Sequence, residues 1–183
     1  SKVSKLGILG AGMMGAGIAY VSARAGMQVV LLDTDQASAD RGKDYSRKLL
    51  EKAQKRGRMT ADKAEAMLGL IKTTTEYADL EGCDLVIEAV FEHRDIKAEV
   101  TAKTEAVIPE TAIFASNTST LPITGLAEAS KRPQSFIGIH FFSPVDKMPL
   151  LEIVMGEKTS QASLARAFDF ARQIGKTPIV VND

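Results

Sequence analysis

The stretch Leu6-Gly7-Ile8-Leu9-Gly10-Ala11-Gly12-Met13-Met14-Gly15 decides the fold: an apolar run leads straight into three glycines with the spacing Gly-x-Gly-x-x-Gly. Behind them Ile18, Ala19, Val21 and Ser22 recur with helical spacing, so the glycines lie in a strand-to-helix turn. There Gly10 permits the tight turn, Gly12 lets the backbone approach a pyrophosphate, and Gly15 lets helix and strand pack closely, which aims the helix N-terminus at the phosphates. A glycine triplet alone also serves flexible loops and close helix packing. Asp33 supplies the second signal, because it follows Val29-Val30-Leu31-Leu32 at the end of the next strand, where a carboxylate accepts hydrogen bonds from adenosine ribose hydroxyls. The same carboxylate repels a 2′-phosphate, and Thr34-Asp35-Gln36 offers no arginine to receive one. The expected cofactor is NAD rather than NADP.

Outward from that turn, short apolar runs alternate with longer helical segments, the pattern of a sheet covered on both faces. Strands are expected over 5–9, 28–33, 71–74, 85–89, 113–116, 136–140, 151–155 and 178–181. The expected architecture is α/β, a Rossmann-type, mostly parallel sheet of about eight strands flanked by helices, in one domain spanning 1–183. Residues 36–70 are too long for one crossover helix, and Gly57-Arg58-Met59-Thr60 breaks them, with Thr60 placed to cap a second helix. This predicts a protruding helical hairpin. A last helix over 161–174 ends at Gly175, before the final strand.

Lys plus Arg and Asp plus Glu both total 23, so no excess of charge points the whole chain toward nucleic acid or a membrane surface. No apolar run approaches the roughly 20 residues of a membrane span, and Cys83, the one cysteine, has no partner for an internal disulfide. A soluble, cytoplasmic protein is expected. Neither Cys83 nor His93 has a partner at metal-ligand spacing, so no metal site is expected; the bland readings are a buried or loop thiol and a polar helix-start residue.

His140 ends the sixth run, where α/β sheets place ligands beyond their strand ends. A neutral imidazole there can accept a hydroxyl proton, and Glu152 on the following strand can orient it. From spacing alone, His140 could equally be a structural hydrogen bonder and Glu152 could face solvent by strand alternation. Ser119 can reach the same crevice, yet Ser116-Asn117-Thr118-Ser119-Thr120 is also an ordinary capping and turn sequence, with Asn117 the more structural member. For Lys97 a solvated helix charge is the bland alternative, and a solvated helix face is the usual reading of the basic run Arg47, Lys48, Lys52, Lys55, Arg56 and Arg58.

Four segments carry a family resemblance: residues 10–15, Val86-Ile87-Glu88-Ala89-Val90-Phe91-Glu92, Ala115-Ser116-Asn117-Thr118-Ser119, and Gly138-Ile139-His140-Phe141-Phe142-Ser143-Pro144-Val145. Across essentially its whole length the chain resembles the NAD-binding domain of 3-hydroxyacyl-CoA dehydrogenases, which oxidise the 3-hydroxyl in fatty acid β-oxidation. The run from His140 to Glu152 looks more like the multifunctional α-subunit of the fatty acid oxidation complex than the single-function enzymes, which carry Asn where this chain has Ser143. The resemblance implies that His140 and Glu152 form the catalytic pair and that Ser119 bonds the reacting oxygen or the nicotinamide amide. It places Ala89, Val90, Phe91, Glu92 and Lys97 along the cofactor ribose and nicotinamide, with Met13 and Met14 at the pyrophosphate and Asn117 and Ser143 on the nicotinamide side. It implies a 3-hydroxyacyl-CoA substrate, with the basic hairpin near the phosphates of coenzyme A, and a thiolase β-subunit as partner of the full-length protein. Family members continue beyond the last strand into a helical domain that closes over the acyl chain and supplies a further catalytic asparagine. The chain alone is therefore expected to bind NAD and turn over poorly.

Overall fold

In β1 (Lys5–Leu9), Leu6 and Ile8 enter one core cluster and Leu9 the other, and all three are buried. Both faces of this strand are covered, which is why it reads as an unbroken apolar run. The same holds for β2 (Gln28–Leu32), β4 (Leu85–Glu88) and β5 (Ile113–Asn117), with β3 (Ile71–Thr74) at the edge. The chain continues through β6 (Phe136–Phe141), β7 (Leu150–Met155) and β8 (Thr177–Asn182). These elements come from a computed structural model that describes residues 2–183.

The eight strands form one sheet in the order β3-β2-β1-β4-β5-β6-β7-β8. The first six are parallel to their neighbours, β7 runs antiparallel to β6, and β8 is parallel to β7. This is the Rossmann-type, mostly parallel sheet expected from sequence, and each strand matches its expected range to within a residue at either end. The chain order reverses between β1 and β4, and that opens a crevice beyond their carboxyl ends.

One face is covered by α1 (Met13–Arg24) and α6 (Gln161–Gln173), whose Ile18, Val21, Ala167 and Phe170 join the first core cluster. The other is covered by α4 (Arg94–Glu105) and the short α5 (Ile123–Leu126). Residues 36–70 hold α2 (Gln36–Lys55) and α3 (Ala61–Leu68). Side chains cap four helices: Asp35 accepts from the Ser38 N–H, Thr60 from Lys63, His93 from Ile96 and Ser160 from Ser163. Among the described residues, no helix is long and apolar enough to cross a membrane.

The segment between β6 and β7 is held from three sides. Val145 packs on Gly17 of α1, the Tyr45 hydroxyl of α2 donates to Asp146 at 2.7 Å, and Lys176 donates its ammonium to the carbonyls of Val145 and Met148. The Tyr45 phenol is pushed up to about 12 by burial and by Asp146.

The tightest contact is at the glycine turn, where a Cβ on Gly15 would fall 1.8 Å from the Gly10 carbonyl oxygen. Gly15→Ala should therefore cost about 3 kcal/mol of stability, read as a fall in the denaturant midpoint; an unchanged midpoint refutes the contact. Cys83 is fully buried and its thiol is pushed up to about 11 by that burial. The native protein should resist thiol alkylation at pH 8 and label fully in denaturant; fast labelling without denaturant would place the thiol at the surface.

Candidate active site

A cleft of about 980 Å³ runs across the carboxyl ends of five strands, at the upper end of the range for ligand pockets. Strand order sets its layout. Asp33, Thr34 and Ser38 lie at one end, beyond β2; Gly10, Gly12, Met13 and Met14 form the middle, beyond β1; and Ala89, Val90, Phe91 and Glu92 follow, beyond β4. Asn117 and Ser119 beyond β5, then His140, Phe142 and Ser143 at β6, complete the far end. Thirteen of the sixteen residues picked out from the sequence line this cleft, the exceptions being Gly15, Lys97 and Glu152.

The middle of the cleft suits an anion. Gly12 caps α1 with no side-chain hydrogen bond and no acidic residue occupies the first turn, so the positive helix end is uncompensated. A Cβ added at Gly12 would meet no atom within 4 Å, so that space is open to a ligand. Asp33 accepts from the Ala11 N–H at 2.9 Å and from the Thr34 N–H at 2.7 Å, which fixes its carboxylate at the rim with acceptor capacity to spare. Met13 is exposed, whereas Met14 is half-buried, packing on the core while its side chain borders the cleft. Such a lining fits a dinucleotide with its pyrophosphate at α1 and a ribose at Asp33.

At the far end, His140 and Glu152 are directly opposed in the antiparallel β6–β7 ladder. Their side chains therefore share a face, and the His140 Nδ1 lies 2.8 Å from the Glu152 Oε1. Glu152 does not simply face solvent. The imidazole also packs against Phe142, ring centroids 4.6 Å apart. A second hollow of about 290 Å³ lies beside the first, and Thr118, Ser119 and His140 line both. Glu152 lines only this second hollow. Asn117 has a structural bond, accepting from the Phe141 N–H at 3.1 Å and so tying β5 to β6 beside His140.

Lys97 is not a solvated charge: it is 2% exposed, and its ammonium lies 2.6 Å from Glu88 and 3.2 Å from Glu92. Glu92 also accepts from the hydroxyls of Thr118 and Thr120 and the Ser119 N–H, fastening the loop that carries Ser119. Sequence reasoning missed Glu88, Thr118 and Thr120 in this cluster, along with Ser116, whose hydroxyl donates to Glu88. A signal existed for Glu88, a carboxylate closing the buried run Leu85-Val86-Ile87. Burial pushes the Glu88 carboxyl above its ordinary range, opposed by Lys97, Ser116 and the Val90 N–H. For Glu92 partial burial also pushes upward, but Thr118, Thr120 and Lys97 together bring it below the usual value. The basic residues Arg47, Lys48, Lys52, Lys55, Arg56 and Arg58 are exposed on and just after α2.

The chain is similar over its whole length to M. tuberculosis FadB2, with 40% identity and a TM-score of 0.95, and to the (S)-3-hydroxybutyryl-CoA dehydrogenase PaaH1 of Ralstonia eutropha, with 37% identity and a TM-score of 0.96. It spans 65% and 64% of those two chains. With the dehydrogenase part of multifunctional enzyme 1 from C. elegans it shares 30% identity at a TM-score of 0.87, covering 99% of this chain and 41% of that one. The family described as 3-hydroxyacyl-CoA dehydrogenase, NAD binding domain, matches residues 5–183. The chain thus belongs to the 3-hydroxyacyl-CoA dehydrogenase family, as its NAD-binding domain.

Proposed function

We propose that this domain carries the cofactor and the catalytic base for oxidation of (S)-3-hydroxyacyl-CoA to 3-oxoacyl-CoA. The carrying observation is the 2.8 Å pair between His140 Nδ1 and Glu152 Oε1, set where the cofactor cleft meets the second hollow. NAD supplies the hydride acceptor. With Nδ1 engaged by the carboxylate, Nε2 is the nitrogen left to take the substrate hydroxyl proton. Glu152 holds the ring orientation and stabilises its charged form. Ser119, shared by both hollows, donates to the reacting oxygen, and Ser143 borders the nicotinamide side. Gly10, Gly12, Met13 and Met14 seat the pyrophosphate and Asp33 the adenosine ribose, while Ala89, Val90, Phe91, Glu92 and Asn117 line the way to the nicotinamide, with Lys97 bracing Glu92 from behind.

The exposed basic side chains around α2 present phosphate partners of the kind coenzyme A needs. The solved relatives named as a hydroxybutyryl-CoA dehydrogenase and as the dehydrogenase part of a multifunctional enzyme support the 3-hydroxyacyl-CoA substrate, and a role in fatty acid β-oxidation in the cytoplasm belongs to the same proposal. That reading includes a thiolase β-subunit as partner of the full-length protein. Because the chain spans 65% of the FadB2 relative, closure over the acyl chain is assigned to the rest of a full-length enzyme. Residues 1–183 alone should then bind NAD and turn over poorly.

In a full-length enzyme, His140→Ala should lower kcat by about 10²–10⁴-fold while leaving the Kd for NAD unchanged. Glu152→Gln should lower kcat on the order of 10²-fold, since the amide disturbs the imidazole tautomer. A normal rate in His140→Ala would exclude this histidine as the base. Calorimetry on residues 1–183 should show NAD binding without NADP binding, and Gly12→Ala should abolish the NAD signal at unchanged Tm, because its methyl enters ligand space rather than protein. Equal binding of NADP would remove Asp33 from its ribose role.

A further inference from the structure

Two carboxylates share one ammonium at the His140 end of the cleft. Glu88 is fully buried and accepts from Lys97 at 2.6 Å, from the Val90 N–H at 2.9 Å and from the Ser116 hydroxyl. Lys97 and the Val90 N–H can only donate, so both act on a Glu88 oxygen that accepts, and the ammonium at 2.6 Å favours the ionised carboxylate against its burial. Glu92 accepts from Thr118, Ser119, Thr120 and Lys97. Lys97 is the one ion-pair partner of both among the described residues. Two negative charges and one positive leave one negative charge over, with Glu88 and Lys97 out of solvent and Glu92 at the cleft rim, its side chain 39% exposed.

The dinucleotide has a fixed direction across this sheet. With the adenosine ribose at Asp33 and the pyrophosphate at α1, the nicotinamide falls beyond β4, β5 and β6, on the side of Glu92. An oxidised nicotinamide ring carries a positive charge and a reduced ring none. We propose that the Glu88–Lys97–Glu92 cluster discriminates between the two redox states of the cofactor, its residual negative charge favouring the cationic oxidised ring over the neutral reduced one. The inference rests on the cofactor orientation proposed above. It differs from a purely structural role for the same ion pairs, because loosening the loops weakens both redox forms alike, whereas removing a charge weakens one.

The test is the ratio of dissociation constants, Kd for NAD⁺ over Kd for NADH, measured by calorimetry at low ionic strength on the intact protein. Glu92→Gln and Glu88→Gln each remove one negative charge, and each should raise the ratio on the order of fivefold. Glu92→Lys should raise it further, and because Glu92 is partly exposed this series stands even if Glu88→Gln does not fold. Asp33→Asn should weaken both forms equally, its carboxylate lying at the opposite end of the cleft; weakening of neither form would refute the cofactor orientation rather than the charge effect. An unchanged ratio in Glu92→Gln and Glu92→Lys overturns the proposal. A folded Glu88→Gln with the wild-type ratio also overturns it, since the effect would then belong to contact with Glu92 and not to the charge of the cluster.

Discussion

The contact on which the site depends is the one between Gly15 and the Gly10 carbonyl, so close that a Cβ would stand 1.8 Å from the oxygen. It lets α1 begin directly above the end of β1, so the unpaired N–H groups of its first turn open into the cleft. Four other helices satisfy their N-termini with a side chain from Asp35, Thr60, His93 or Ser160. α1 has no such cap and no acidic residue in its first turn. Its positive end, equivalent to about half a charge, is left for something outside the protein. The absence of a cap where the same chain caps α2, α3, α4 and α6 is as informative as the glycines themselves.

Direction of travel in the sheet does the rest. Six parallel strands deliver their carboxyl ends to one edge, and the order reversal between β1 and β4 opens the crevice there. β7 then returns antiparallel, which a direct connection permits and a parallel return would not. The ladder register places Glu152 across from His140 with no loop involved, so the spacing of the pair is set by backbone hydrogen bonds. Lys176 and Tyr45 hold the connecting segment from behind, and this fixes Ser143 at the rim.

Much of this was legible in the amino-acid sequence because the buried strands show it directly: runs covered on both faces are apolar without alternation, and their ends fall within a residue of expectation. The glycine spacing and Asp33 located the cleft for the same reason, each being a local requirement of the backbone or ligand. The direction of β7 was not legible, since Leu-Leu-Glu-Ile-Val reads alike whichever way it pairs. That left Glu152 balanced between solvent and His140 until register decided it. Lys97 was misleading for a different reason: a lysine in a helix is ordinarily solvated, and its burial depends on Glu88 from β4 and Glu92 from the following loop, partners that no helical period reveals.

The buried charges also bear on what the cluster is for. Burying an ion pair is seldom a gain in stability over apolar packing, whereas stranding one member costs about 3–5 kcal/mol. The chain shows that it can bury a carboxylate without a buried cation. Glu105, 7% exposed and away from the cleft, is met by the Ser130 hydroxyl and the Lys131 N–H. Glu88 also has neutral donors, Ser116 and Val90, yet Lys97 is present as well. The difference is the second carboxylate. Glu88 and Glu92 lie close enough to share one ammonium, and without it their mutual repulsion would push one of them to take up a proton. Lys97 opposes the burial that pushes Glu88 upward and helps hold Glu92 low, and in the proposed reading it thereby preserves a negative charge at the cleft wall that a neutral acid could not provide.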